Sequence, residues 1–249
     1  YLSQRIHTEE FVVLSKDESN PEIVPSSLSN SCELVSANSW FSALQALRQQ
    51  GSEKTIEING QTYVRPFTIK ENLQARIEDY NTLTNPDGTQ RTEEERRRFF
   101  NTWLDSCSGI HYLVGTTKFK ILPISTELIT LVQAPTLDYL AVPYAQTQAR
   151  ELDRAVRGAK YNRALSRAEV LEHPAWLAVV EEDRVLLGEA FDIMRTVKNA
   201  SAGWKGMGFY VFPNQVQDEL RPLFVYDHDG GGFAMGRNLL GGVGRFLHR

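Results

Sequence analysis

The sequence predicts an α+β fold, with helices packed around short antiparallel sheets, and three observations carry that prediction. Up to about residue 200, apolar residues recur at helical spacing, repeatedly behind a Ser or Thr followed three residues later by Glu. From Gly203 onward the pattern changes to short, glycine-broken runs with strand character. Helices thus dominate the first two hundred residues and glycine-broken strands the last forty-five, an order that suggests α+β and not alternating βαβ units.

Taken in order, EFVVL (10–14) reads as a strand and leads into a polar, Pro/Ser-rich loop ending at Asn30. Trp40, Phe41, Leu44 and Leu47 share one helical face, with Gly51 as the stop. TIEINGQTYVR (55–65) is a hairpin, because Asn59-Gly60 suits a two-residue turn with positive φ. Two capped helices follow. Thr68 with Glu71 starts one carrying Ile69, Leu73, Ile77 and Tyr80, and Thr92 with Glu95 starts one carrying Phe99, Phe100, Trp103 and Leu104. NPDG (85–88) is the turn between them. IHYLV (110–114) and KFKIL (118–122) form a second hairpin, and AQTQARELDRAVRG (145–158) is assigned a helix. Ser166 with Glu169, Pro174 and Asp183 then mark three further helix starts, the last bearing Leu186, Leu187, Ala190, Ile193, Met194 and Val197. MGFYVF (207–212), LRPLFVY (220–226) and VGRFLH (243–248) close the chain as strands.

The chain has 249 residues and a formal net charge of −4, with an isoelectric point near 5.8, which argues against a nonspecific nucleic-acid binder. No run approaches the ~18 apolar residues of a membrane helix, so no membrane insertion is expected. No signal peptide is visible, and Asn199-Ala200-Ser201, although a glycosylation triplet, carries little without one. Cys32 and Cys107 give no disulfide framework, and whether they pair stays open. The triplets Glu93–Glu95 and Arg96–Arg98 read as a solvated helix face, and Trp176, Phe99 and Trp103 as core.

Three segments invite a chemical reading. DSCSGIHY (105–112) contains a thiol and an imidazole, so an enzyme using Cys107 and His111 is one alternative. The preferred reading of Cys107 is a small buried thiol at a helix–strand junction. Asp227-His228-Asp229 invites a metal, but alternation along a strand sends the two aspartates to one side and the histidine to the other, so no metal site is assigned. A loop-bound calcium stays open. Gly230-Gly231-Gly232 lacks the GK[ST] ending and the following helix that a phosphate cradle needs. No cofactor is expected.

The C-terminal stretch is better read as a surface. Between Leu223 and Val243, side chains of every chemical class occur without period on a glycine-punctuated backbone, flanked by ordinary strand runs. Tyr226, Phe233 and Met235 offer contact area, while Asp227, Asp229, Arg237 and Asn238 offer directional polar contacts. Adaptable loops of this kind on a rigid scaffold are where binding specificity resides.

GMGFYVFP, then ELRPLFV, then GRNLLGGVGRFLHR, resembles the variable proteins of diversity-generating retroelements, most closely the archaeal or archaeal-virus type. The resemblance covers about the last forty-five residues. It implies a C-type lectin-like fold of the formylglycine-generating-enzyme subtype, read as a single domain over 1–249 with 219–249 as the variable ligand-binding region. It also implies a non-enzymatic display protein whose C-terminal codons are rewritten by a reverse transcriptase. The partner would be a protein or cell-surface ligand, and the place of display a virion or cell surface. On this resemblance Phe224, Tyr226, Asp227, His228, Asp229, Phe233, Met235, Asn238 and Leu239 are the candidate ligand-binding residues. Leu220, Val225, Gly236, Arg237, Leu240, Gly244, Arg245 and Phe246 would be scaffold. A structural virion protein is the remaining alternative, and the oligomeric state stays open.

Overall fold

A computed structural model describes residues 32–156, 160–198, 203–212, 215–228, 231–236 and 238–248, with the backbone alone at 226–228, 231–233 and 235. The strand expected at 10–14 and the Asn199 triplet lie outside the described residues.

Three sheets organise the described residues. The first is a ribbon of β1 (Glu33–Ala37) and β11 (Gly244–His248), paired antiparallel from Glu33↔His248 to Ala37↔Gly244. The second is the expected hairpin, β2 (Thr55–Ile58) and β3 (Gln61–Val64), turned by Asn59 at φ 52° and Gly60 at φ 75°. The third has seven strands: β4 (Leu104–Tyr112), β5 (Lys118–Leu122), β6 (Glu151–Asp153), β7 (Ala164–Leu165), β8 (Met207–Tyr210), β9 (Glu219–His228) and β10 (Gly231–Gly236). Their spatial order is β6-β5-β4-β9-β10-β8-β7, antiparallel throughout except for β8 beside β10.

The helices are α1 (Trp40–Gln50), α2 (Ile69–Asn81), α3 (Glu93–Arg97), α4 (Thr126–Ile129), α5 (Arg167–Leu171), α6 (Pro174–Val179) and α7 (Arg184–Val197). Reciprocal capping boxes close the N-termini of α2, α3 and α5 at Thr68/Glu71, Thr92/Glu95 and Ser166/Glu169. Each satisfies two backbone donors that a helix start leaves unpaired. Pro174 opens α6 and Asp183 caps α7, as the sequence predicts.

Two cores lie on opposite sides of β9. Leu223 and Val225 join Leu73, Trp176, Leu187, Met194 and Phe209 in the larger, under α2 and α5–α7. Leu220 joins Trp40, Leu44, Leu47, Leu128, Leu239 and Phe246 in the smaller, under α1 and the β1–β11 ribbon. Strand alternation produces this division, because neighbouring residues of β9 point to opposite faces.

Strand β4 departs from alternation. All nine of its residues are buried, and its register with β9 shifts between Asp105 and Gly109. The bulge at 106–108 loses ladder bonds, and other groups replace them. Ser106 Oγ donates to Leu223 O at 2.7 Å, Cys107 N to Phe67 O at 3.0 Å, and Ser125 N to Cys107 O at 2.9 Å. Pro222, which has no N–H to offer, falls beside this bulge and past the end of the β9–β10 ladder.

Three expectations are corrected. Residues 145–156 are not a helix, and 157–158 of that expected helix lie outside the described residues: a single 3-10 turn at Tyr144–Gln146 gives way to β6, paired with β5. The apolar residues there share no single buried face: Leu152 is buried in the larger core and Ala149 packs against the smaller one, while Ala145, Ala155 and Val156 are exposed. Helix α3 stops at Arg97, and Leu104 begins β4 instead of extending a helix. Cys107 accordingly sits inside a strand bulge, not at a helix–strand junction.

Candidate ligand-binding face

The hairpin of β9 and β10 places the candidate residues by parity. Val225 and Ala234 are Cα partners, both at 0% exposure in the larger core. The partners on either side are Phe224↔Met235 and Tyr226↔Phe233, and the last pair is His228↔Gly231. Positions 224, 226, 228, 231, 233 and 235 thus share one face, the one turned away from the larger core. Asp227 pairs with Gly232 on the other parity. Asp229, Gly230 and Arg237 lie outside the described residues.

This face continues onto neighbouring strands. Tyr210 of β8 is the Cα partner of Met235, and Asp105 of β4 that of Phe224, so one row runs 105–224–235–210 across the sheet. Phe224 and Tyr210 are half-buried. Next to them, the Arg245 backbone N–H donates to Asp105 Oδ2 at 2.8 Å, and the Arg245 guanidinium lies 4.6 Å from the Trp103 ring centre. Sequence reading missed Tyr210, and it placed Trp103 in a helical core stripe. Their membership depends on strand order, which sequence spacing does not encode.

The loop after β10 is held by its own side chain and by a second segment. Leu239 is fully buried in the smaller core, its N–H donates to Asp138 O at 2.9 Å, and its carbonyl accepts from Phe41 N at 3.2 Å. Leu240 is instead 42% exposed and Asn238 is exposed. The two leucines therefore exchange the roles expected from sequence: Leu239 anchors and Leu240 is presented. Beneath Asn238, the Arg221 guanidinium lies 5.1 Å from the ring centres of both Tyr139 and Phe212, pairs with Glu219 at 2.9 Å, and donates to Asn238 Oδ1.

The pair Cys107 and His111 is arranged for packing. Cys107 is fully buried, its thiol lies 3.1 Å from Pro66 O, and burial pushes its pKa up to about 12, opposing the thiolate a nucleophile needs. His111 is fully buried too, which lowers its pKa and favours the neutral ring. Its Nε2 lies 2.9 Å from Val142 O, which can only accept, so the ring proton belongs on Nε2. Nδ1, 2.9 Å from Thr147 Oγ1, then accepts from that hydroxyl. Both ring nitrogens are engaged away from the thiol's partners. Gly231 and Gly232 form strand, not the loop-to-helix turn of a phosphate cradle. Among the described residues, no group of three or more His, Cys, Asp or Glu side chains is placed to hold a metal ion.

No protein-family model matches the chain, and no curated protein matches it in sequence. In the solved structures, the chain is similar to one described as accommodation of massive sequence variation in Nanoarchaeota by the C-type lectin fold, with a TM-score of 0.57 and 13% identity. The superposition covers 89% of this chain and 99% of that one. Likeness at this identity speaks for the backbone arrangement alone. On that arrangement, the α+β chain described above has a C-type lectin fold.

Proposed function

We propose that this protein is a non-enzymatic display protein whose β9–β10 face binds varied protein or cell-surface ligands. The side chains of that face would be exchanged by a diversity-generating retroelement acting on the C-terminal codons. One observation carries the reading: the β9–β10 register separates the buried partners Val225 and Ala234 from the opposite-parity positions 224, 226, 228, 231, 233 and 235. A sheet of that kind holds its fold through one set of residues and leaves the other set open to exchange. The C-type lectin-fold neighbour described for massive sequence variation supports the same reading. Leu239 drops out of the contact set because it is buried, whereas Asn238 stays and Leu240 enters it.

The retroelement part is tested by sequencing the DNA around the coding region. The expected result is a near-copy of the 3′ end, differing only where the copy carries adenine, beside a reverse transcriptase gene. A flanking region without either would remove the retroelement from the account.

A further inference from the structure

Trp103 and Arg245 reach the edge of this face from two different elements. Trp103 immediately precedes β4, whose Leu104 and Asp105 pair with Val225 and Phe224, so the antiparallel register carries position 103 alongside position 226. Arg245 lies on β11, where its neighbours Gly244 and Phe246 are buried and it is half-buried, like Trp103. The guanidinium stacks on the indole at 4.6 Å, and the Arg245 N–H bond to the fully buried Asp105 fixes the height of β11 against β4. Neither side chain belongs to the region where the face is expected to vary on β9 and β10. Trp and Arg are the residue types that most often dominate interface energetics, and a stack already ordered loses little further freedom on binding.

We propose that the Trp103–Arg245 stack is a constant contact element of the β9–β10 face, shared by every version of the exchangeable positions, and that its partner is a folded protein. This rests on the reading of the face given above. Positions 224, 226, 228, 231, 233 and 235 then set which protein is bound, and the stack supplies an anchor common to all. Aromatic residues, Met and Arg together make the composition characteristic of protein-interface centres.

The test uses the full chain displayed on yeast, randomised at 224, 226, 233 and 235, and sorted against purified lysozyme, purified streptavidin and mannan. The unaltered background is expected to yield binders to both proteins. Moving those sequences into a Trp103→Ala, Arg245→Ala background should weaken their Kd roughly tenfold or more. Arg245→Lys should do much the same, since it keeps the charge but loses the planar stack, and it leaves the backbone bond to Asp105 intact. If Trp103→Ala lowers the amount of folded chain displayed, the Arg245→Lys background decides alone. Equal Kd in all backgrounds would overturn the anchor while leaving the face in place. Binders to mannan alone would overturn the protein assignment. No binder in any background, with folded chain displayed, would overturn the reading of the face and the anchor with it.

Discussion

Val225 and Ala234 stand opposite one another across β9 and β10, and neither has any solvent exposure. Val225→Ala should cost about 2 kcal/mol, from lost burial plus an unfilled space. Ala234→Leu should cost about 1–3 kcal/mol by overpacking against Phe209 and Val225. Urea denaturation of the two variants checks both values, and a neutral result for either would mean that this parity is not the core side.

Gly244 is constrained by contact, not by backbone angle. A Cβ there would lie 2.2 Å from Ser39 O and 2.8 Å from Ala43 Cβ, at the N-terminus of α1. Gly244→Ala should therefore destabilise by about 2 kcal/mol or more, because the obstacle is backbone that cannot turn aside. Gly241, whose Cβ would meet nothing closer than 3.6 Å, is the control, and Gly241→Ala should stay within about 0.5 kcal/mol. Denaturation midpoints of the two variants decide it.

Arg221 ties the loop after β10 to the sheet. Its side chain is 13% exposed and that of its partner Glu219 is 6% exposed, so Arg221→Ala would strand a nearly buried carboxylate. A loss of about 3 kcal/mol is expected, with faster amide exchange at Leu239 and Leu240 as the Asn238 contact disappears. Arg221→Lys should rescue little, because an ammonium cannot reproduce the fork between two rings.

Acid should weaken the fold in two steps. Burial of His173 lowers its pKa from 6.5 to about 4, so its contribution is complete above pH 6.5 and is lost as pH falls from there toward 4. For Glu71, burial raises the pKa, but hydrogen bonds from Arg65 and the Thr68 N–H, with Lys54 nearby, outweigh it and hold the carboxyl at about 2. Its contribution is complete above its ordinary value of 4.5 and lost as pH falls toward 2. Urea midpoints followed against pH should show both limbs, with His173→Gln flattening the upper one and Glu71→Gln the lower.

Helix starts and tight turns were legible in the sequence because they are local. Thr68/Glu71, Thr92/Glu95 and Ser166/Glu169 form the boxes their spacing predicts, and Asn59-Gly60 makes its turn. The parts that depend on distant partners were not. Residues 151–153 lie in a run whose sequence reads as helical, yet the free edge of β5 recruits them as a strand. Asp105, Ser106, Ser108 and His111 resemble loop chemistry, but each is buried in β4, and Ser106, Ser108 and His111 bond partners far away in the chain. In the loop after β10 no period distinguishes Leu239 from Leu240, and only packing against the smaller core shows which one turns inward. The candidate face was partly legible: Phe224, Tyr226, His228, Phe233 and Met235 were named for it, Asp227 falls on the other parity, and Tyr210, Trp103 and Arg245 come beside it through strand order.

The most direct test of exchangeability is the melting temperature of chains altered at 224, 226, 233 and 235, singly and together. Replacement of Phe224, Tyr226, Phe233 or Met235 by Ala, Asn or Asp should move Tm by no more than about 4 °C each, against about 4–8 °C for Val225→Ala. The fourfold variant should still melt in one cooperative step. Single losses as large as that of Val225→Ala, or a fourfold variant without a cooperative transition, would contradict the account.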